Sequence, residues 1–258
     1  MIVAIDIGNS TAGCGVFDND GLRATWALPI DEAKTASAYA EALAAELKHS
    51  GMESNQIREV VICSVVPACT PVIEQSAKDL FDTVPFIVTT DLDGGLTLQY
   101  ANPRDLGVDR FVAAAKAYAL YHTDVIVVDF GTATTFSVVD RHGRYLGGAI
   151  APGIGISADA LAERTAQLPR IALLPPRKVI GNDTVSGIQS GILYGHVALV
   201  EGMIDRIQRE LGRSAKVIGT GGYASLLAPL SSRIDELLPH LTLEGLVWLY
   251  LRHRQAQN

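Results

Sequence analysis

The feature that most narrows what this chain can fold into is an internal repeat. Ile2-Val3-Ala4-Ile5-Asp6-Ile7-Gly8-Asn9-Ser10-Thr11 has a counterpart in Val125-Ile126-Val127-Val128-Asp129-Phe130-Gly131-Thr132-Ala133-Thr134. Each copy is a short, β-branched apolar run, then Asp, an apolar residue, Gly and three small or polar residues. A second apolar strand and a glycine-containing turn follow in both, at Gly21 and at Gly143. An apolar run that stops at Asp and Gly suits a central strand covered on both faces. Two copies, and no more, predict two related lobes rather than a solenoid. The division is expected at residues 1–121 and 122–258, with the break near Tyr121 to Asp124.

The rest of the pattern is consistent with that. Strands are expected at 14–17, 22–28, 60–62 and 86–88, and helices at 35–49, at 72–81 and from about Asp109. Alternation of this kind predicts an α/β fold, with helices packed on a mixed sheet. The 258 residues are 48% apolar, enough to bury a sizeable core. The net charge of −7, with Lys and Arg scattered, argues against a nucleic-acid partner. Asp6 interrupts the first apolar run, and the apolar segment Ser186 to Ile204 contains Gln189, His196 and Glu201. Neither reads as a leader or a membrane span, so a soluble cytoplasmic protein with no membrane partner is expected. Cys14, Cys63 and Cys69 have no metal-ligand spacing and read as small apolar residues of a reduced protein. The histidines form no pair at helical spacing.

The repeat also carries chemistry. A triphosphate needs close backbone N–H donors, hydroxyl or amide donors, and a carboxylate to hold its Mg²⁺. Glycine lets the backbone approach, and successive N–H groups in a turn form an anion-binding concavity. Asp6 to Thr11 and Asp129 to Thr134 each offer a carboxylate and such a turn. One Asp-x-Gly after a strand is explained as well by a tight turn; two copies at matching strand ends favour function. Gly219-Thr220-Gly221-Gly222 follows the strand Lys216-Val217-Ile218, and reads either as a step under an adenine ring or as an ordinary connection. The chain has no Walker-type Gly-Lys-Ser/Thr element, so a P-loop enzyme is not the default. Asp109, beside Arg110, reads either as a helix cap with a surface arginine or as a base that accepts a hydroxyl proton.

These elements together resemble the type III pantothenate kinases, within the acetate kinase, sugar kinase, chaperone and actin superfamily. The resemblance rests on Asp6-Ile7-Gly8-Asn9-Ser10, Ser64-Val65-Val66-Pro67, Gly107-Val108-Asp109-Arg110, Asp129 to Thr135, Gly147 to Gly153 and Leu241 to Leu246. They keep the family's order and run nearly end to end. The resemblance implies two ribonuclease-H-like, actin-like lobes, each a mixed sheet flanked by helices. It implies ATP-dependent phosphorylation of pantothenate, the first step of coenzyme A synthesis. Asp6, Ile7, Gly8, Asn9, Ser10, Thr11, Ala12 and Gly13 would form the first phosphate turn, with Asp6 holding Mg²⁺. Thr132 would contact ATP from the second turn.

Asp109 would be the proton acceptor; Tyr100, Gly107, Val108, Asp109, Arg110 and Thr184 would contact pantothenate. Asp129 would serve a monovalent cation, K⁺ or NH₄⁺. A homodimer is implied, and the apolar segment Gly187 to Val200 reads either as an interface helix or as a core helix. Two positions depart from the family's pattern: Ser10 replaces a commoner threonine and keeps its hydroxyl, and Ser137 stands where an aspartate often follows. Fold membership alone leaves open a non-catalytic nucleotide-binding transcriptional accessory protein. Such a protein would be expected to lose Asp6 or Asp109, and this chain has both.

Overall fold

The computed structural model describes residues 1–257. Two compact units emerge, one from residues 1–96, 100–116 and the segment from Leu241 onward, the other from 97–99 and 117–240.

In the first unit, β1 (Ile2–Ile7), β2 (Thr11–Asp18) and β3 (Gly21–Pro29) form an antiparallel meander. Gly21 makes the β2–β3 turn at φ +110°, a conformation side chains rarely adopt. After α1 (Ala36–His49) comes β4 (Glu59–Ser64), then α2 (Thr70–Phe81) and β5 (Phe86–Ile87). β4 lies parallel to β1, giving the order β3-β2-β1-β4-β5. Side chains alternate along a strand. Val3, Ile5 and Ile7 therefore share one face, where they belong to a buried cluster with Tyr39, Leu43 and Leu47 of α1 and Ile73, Ala77 and Phe81 of α2. Ala4 and Asp6 point the other way. α3 (Val108–Tyr121) begins in this unit, and the C-terminal helix (Leu241–Gln257) completes it. That helix comes so close that a Cβ on Gly15 would lie 3.2 Å from Leu243, and one on Gly245 would lie 2.7 Å from Val112 of α3.

The second unit repeats the plan. β6 (Thr97–Leu98) is an edge strand; β7 (Val125–Phe130), β8 (Ala133–Val139) and β9 (Arg144–Pro152) are the meander. α4 (Ile154–Arg164), α5 (Thr184–Leu211), β10 (Lys216–Thr220), α6 (Ala224–Leu227) and β11 (Glu236–Leu237) follow, with β10 parallel to β7. The order is β11-β10-β7-β8-β9-β6. Ile126, Val128 and Phe130 form a buried cluster with Ile188, Leu193, Val197 and Val200 of α5. Asp183 caps α5 by accepting the Ser186 N–H at 2.8 Å, and Gly212 ends it at φ 69°. No described helix is long and apolar enough to cross a membrane.

The sequence repeat is thus a repeat of topology: β3-β2-β1-β4-β5 is matched by β9-β8-β7-β10-β11. The fold is α/β, two mixed sheets flanked by helices. The division differs from the expected 1–121 and 122–258. The segment from Leu241 onward groups with the first unit, because its apolar face packs on that unit's sheet and on α3. The break within α3 comes after Lys116 rather than after Tyr121. The segment 187–200 is a core element on one face, with Ile188, Ile192, Leu193 and Val197 buried, while Leu199 is 38% exposed.

Candidate active site

The first unit gathers three polar side chains on the face of its sheet away from α1 and α2. Parallel pairing sets Asp6 of β1 opposite Cys63 of β4, so both side chains leave the sheet on the same side. The Cys63 thiol donates to Asp6 Oδ1 at 3.2 Å. Asp109 stands in the first turn of α3, close enough for the two carboxylates to repel. Burial, then the Asp109 charge, raises Asp6 from the usual 3.8 to about 7, against the pull of the thiol hydrogen bond. Burial also raises Asp109, opposed by the Arg110 N–H and the Arg110 charge. Cys63 is pushed well up by burial and by its acidic neighbours, so it is a protonated donor.

Asp109 is the second residue of its helix rather than the cap. Gly107 accepts the Phe111 N–H at 3.1 Å, and the Asp109 carboxylate turns back to accept the Arg110 N–H at 2.8 Å. A Cβ on Gly107 would fall 2.5 Å from that carboxylate, so the glycine makes room for it. The loop before α3 is ordered by Asn102, which accepts the Arg104 N–H, with Pro103 pre-set for the turn. A cavity of about 580 Å³ opens on Gly107 and Val108, walled also by Ser64, Val65, Pro67 and Thr89. The Ser64-Val65-Val66-Pro67 motif is itself a locked turn. Ser64 Oγ accepts the Val66 N–H at 3.0 Å, Thr70 Oγ1 donates to Val66 O at 2.9 Å, and the Val65 N–H reaches Ile7 O at 3.0 Å.

The first phosphate turn leaves the sheet directly after Asp6. Asn9, Ser10 and Thr11 are exposed, Gly8 and Gly13 are half-buried, and Ile7 and Ala12 are core residues at 0% and 1% exposure. The side chains of Ile7 and Ala12 therefore anchor the turn and only their backbone faces it. The Gly8 N–H closes the turn on Thr11 O at 3.0 Å, and Ile30 N–H holds Ser10 O at 3.0 Å. The second unit builds a turn one residue shorter, between Phe130 and Thr134 rather than between a pair like Ile7 and Ala12: the Gly131 N–H bonds Ala133 O at 3.1 Å, and Thr132 is exposed at the tip. Gly153 is pressed beneath it. A Cβ there would lie 2.5 Å from the carbonyl oxygens of Gly131 and Thr132, which accounts for the last glycine of Gly147 to Gly153.

Asp129, next to last in β7, has Oδ1 against two glycines. A Cβ on Gly131 would sit 3.4 Å from it and one on Gly221, at φ +95°, only 2.2 Å. The glycine cluster after β10 thus serves close approach to a carboxylate; Gly221 is where glycine is required. Ser137 lies buried on β8 at 2% exposure with its hydroxyl 3.2 Å from that of Tyr145, a core setting in which a carboxylate would have to be desolvated.

Of the other expected substrate contacts, half-buried Tyr100 falls in the first unit with Gly107, Val108, Asp109 and Arg110, and exposed Thr184 opens α5 in the second. Sequence reading missed two side chains. Cys63 reaches Asp6 through a register between strands that no local pattern reveals. His196, buried on α5, bonds Thr134 of the second turn.

Comparison with known proteins points to one family. The family model for type III pantothenate kinase matches residues 2–206. A type III pantothenate kinase of Dehalococcoides mccartyi (strain CBDB1) is 44% identical over 96% of this chain and 95% of its own. Among solved structures, a Campylobacter jejuni protein assigned to the Baf family of transcriptional activators superposes with a TM-score of 0.62 at 18% identity, over 98% of this chain and 99% of that one. Component A of (R)-2-hydroxyglutaryl-CoA dehydratase from Acidaminococcus fermentans gives 0.53 at 14% identity, over 100% of this chain and 99% of that one. At those identities the structures speak for the fold alone. The sequence matches speak for more: this chain belongs to the type III pantothenate kinase family.

Proposed function

We propose that the protein transfers the γ-phosphoryl group of ATP to the terminal hydroxyl of pantothenate, forming 4'-phosphopantothenate, the first step of coenzyme A synthesis. The observation that carries this reading is the Asp6 and Asp109 pair. Within one unit the fold sets two carboxylates close enough to repel, with Asp6 held at about 7. Such an arrangement is costly unless a ligand or a proton transfer uses it. Asp109 accepts the proton of the attacking hydroxyl, the O–P bond to ATP breaks as the new one forms, and ADP leaves. Arg110, next to Asp109, faces anionic groups of the substrates, and Gly107 and Val108 wall the cavity beside them. Tyr100 and Thr184 are further contacts for pantothenate.

The residues fit the ions that this chemistry needs. Asp6 would hold Mg²⁺, which neutralises phosphate charge; the repulsion that raises Asp6 is what a cation would relieve. Asp129 would hold K⁺ or NH₄⁺, in a setting where Gly131 and Gly221 leave the backbone close to its carboxylate. Asn9, Ser10, Thr11 and Thr132 are the exposed turn residues that meet phosphates, since the Gly8 and Gly131 N–H groups are spent closing their own turns. Asp6, Ile7, Ala12 and Gly13 shape the first turn. We read the enzyme as a cytoplasmic homodimer, for which light scattering at micromolar concentration should return twice the chain mass.

The test is ATP consumption with pantothenate, in K⁺, NH₄⁺ or Na⁺. We expect turnover with pantothenate and not with sugars or acetate, and little in Na⁺ alone. A purified protein that binds ATP but leaves pantothenate unphosphorylated would instead favour the transcriptional accessory protein.

A further inference from the structure

We infer that His196 is a positioning residue for the second phosphate turn, clamping it from the α5 side through Phe130 and Thr134. This rests on the reading above, in which Thr132 at the tip of that turn meets ATP.

The two turns are anchored differently. The first runs from Ile7 to Ala12, a paired couple on β1 and β2, and both side chains are apolar members of the core. The equivalent couple in the second turn is Phe130 and Thr134, paired on β7 and β8. Being paired, they leave the sheet on the same side, and Phe130 belongs to the cluster that includes α5. Thr134 puts a hydroxyl into that core at 1% exposure, where it needs a partner. His196 supplies it: Nε2 lies 2.8 Å from Thr134 Oγ1, and the imidazole meets the Phe130 ring with centroids 6.5 Å apart and planes at 61°. One side chain from a helix thus holds both feet of the turn that carries Gly131 and Thr132 between them.

The His196 ring is 6% exposed and burial lowers its pKa, so the neutral imidazole is the form present at neutral pH. A neutral ring can share one hydrogen with a hydroxyl in either direction. Thr134 itself is too buried to meet a ligand, so the pair acts through the turn. A fixed turn presents its exposed atoms without an ordering cost on binding, the usual gain from pre-organisation.

The experiment measures calorimetric Kd for Mg·ATP in the absence of pantothenate, then both KM values. The variants are His196→Leu, which keeps bulk and removes the bond; His196→Gln, which keeps polar reach; Thr134→Val, which removes only the hydroxyl; and the Leu/Val double. We expect Kd and KM for ATP to rise about five- to tenfold in His196→Leu and in Thr134→Val, the worth of one buried hydrogen bond. The double variant should be no worse than the singles, His196→Gln should stay within about threefold of wild type, and KM for pantothenate should not move. A folded His196→Leu with a lowered Tm and unchanged nucleotide Kd would show a packing role only and overturn the proposal. If His196→Leu does not fold, an unchanged Kd in Thr134→Val overturns it equally. Thr132→Ala separates the levels: wild-type nucleotide affinity in that variant would sink the assignment of this turn to ATP, whatever His196 does.

Discussion

Just before β7, Asp124 is 1% exposed and receives the guanidinium of Arg141 at 2.7 Å and that of Arg213 at 2.7 Å. At the end of β1, Asp6 receives one thiol and faces another carboxylate. Burial pushes both groups up. At Asp124 the hydrogen bonds from Arg213 and Arg141 more than offset it and hold the group at about 2. Asp140, 0% exposed after β8, is treated alike: burial raises it, but Arg144 holds it below the usual carboxylate range. Asp6 and Asp109 are left raised. The difference is not burial but company. A carboxylate that the fold uses is given counter-charge enough to hold it down, whereas at the proposed site the Arg110 charge leaves Asp109 still raised, and the repulsion that raises Asp6 is left for a ligand to relieve.

The largest effect should come from Asp109→Asn. If Asp109 belongs with Asp6, the substitution keeps shape and hydrogen-bonding reach but removes the base, and kcat should fall by about 10²–10⁴ while ATP still binds. If Asp109 were a structural carboxylate using its bond to the Arg110 N–H, Asn would serve nearly as well and rate would barely change. Steady-state kinetics with pantothenate decide. Retention of more than about a tenth of wild-type kcat would move Asp109 into the company of Asp124.

The next test attacks the other side of the comparison. Arg141→Ala with Arg213→Ala leaves Asp124 buried without its counter-charges. Breaking a buried pair in this way costs about 3 kcal/mol, the low end of the range because both arginine side chains are partly exposed. Urea denaturation should show that loss with little change in kcat per folded molecule. A comparable loss of kcat in molecules that remain folded would mean that the two classes of carboxylate are not separable.

How much of this division was legible beforehand depended on range. The two Asp-x-Gly turns, the meander after each and the turns at Gly21 and Gly143 are local patterns, and they were readable because apolar periodicity and glycine placement act over a few residues. The parallel neighbours β4 and β10 complete each sheet across long intervening segments. Cys63 is set beside Asp6 by that pairing alone, so its role in the site had no local sign. The same holds for the C-terminal helix. Leu241 to Leu246 was recognisable as a motif, but its use in bringing Leu243 to Gly15 and Gly245 to Val112 depends on contacts more than a hundred residues apart in sequence. Asp124 was legible only as a break between lobes, because its arginines come from separate turns of the second unit. His196 looked like a residue of an apolar helix, and only the packed structure shows which turn it grips.

The smallest effect is the one that reads the comparison as a sign. Asp124 is depressed from 3.8 to about 2, so its contribution is complete above pH 4 and is lost as pH falls through 2. Asp6 is raised from 3.8 to about 7, so it works the other way. In the unliganded protein no penalty exists below pH 4; one grows as pH rises and is complete above 7. Asp6→Asn removes a charge that no cation among the described residues offsets and keeps an oxygen for the Cys63 thiol. Without nucleotide, thermal melts should therefore place the variant a few degrees above wild type at pH 8 and level with it at pH 4. Asp109 remains in both proteins but loses its charged neighbour in the variant, so the difference between the two melting curves reports Asp6 together with its repulsion of Asp109. Saturating Mg·ATP should reverse the order at pH 8, because only the wild type regains from the cation what the lone carboxylate lost. A variant less stable than wild type by the same amount at pH 4 and pH 8 would mean that Asp6 is a structural group like Asp124, neutralised within the chain after all.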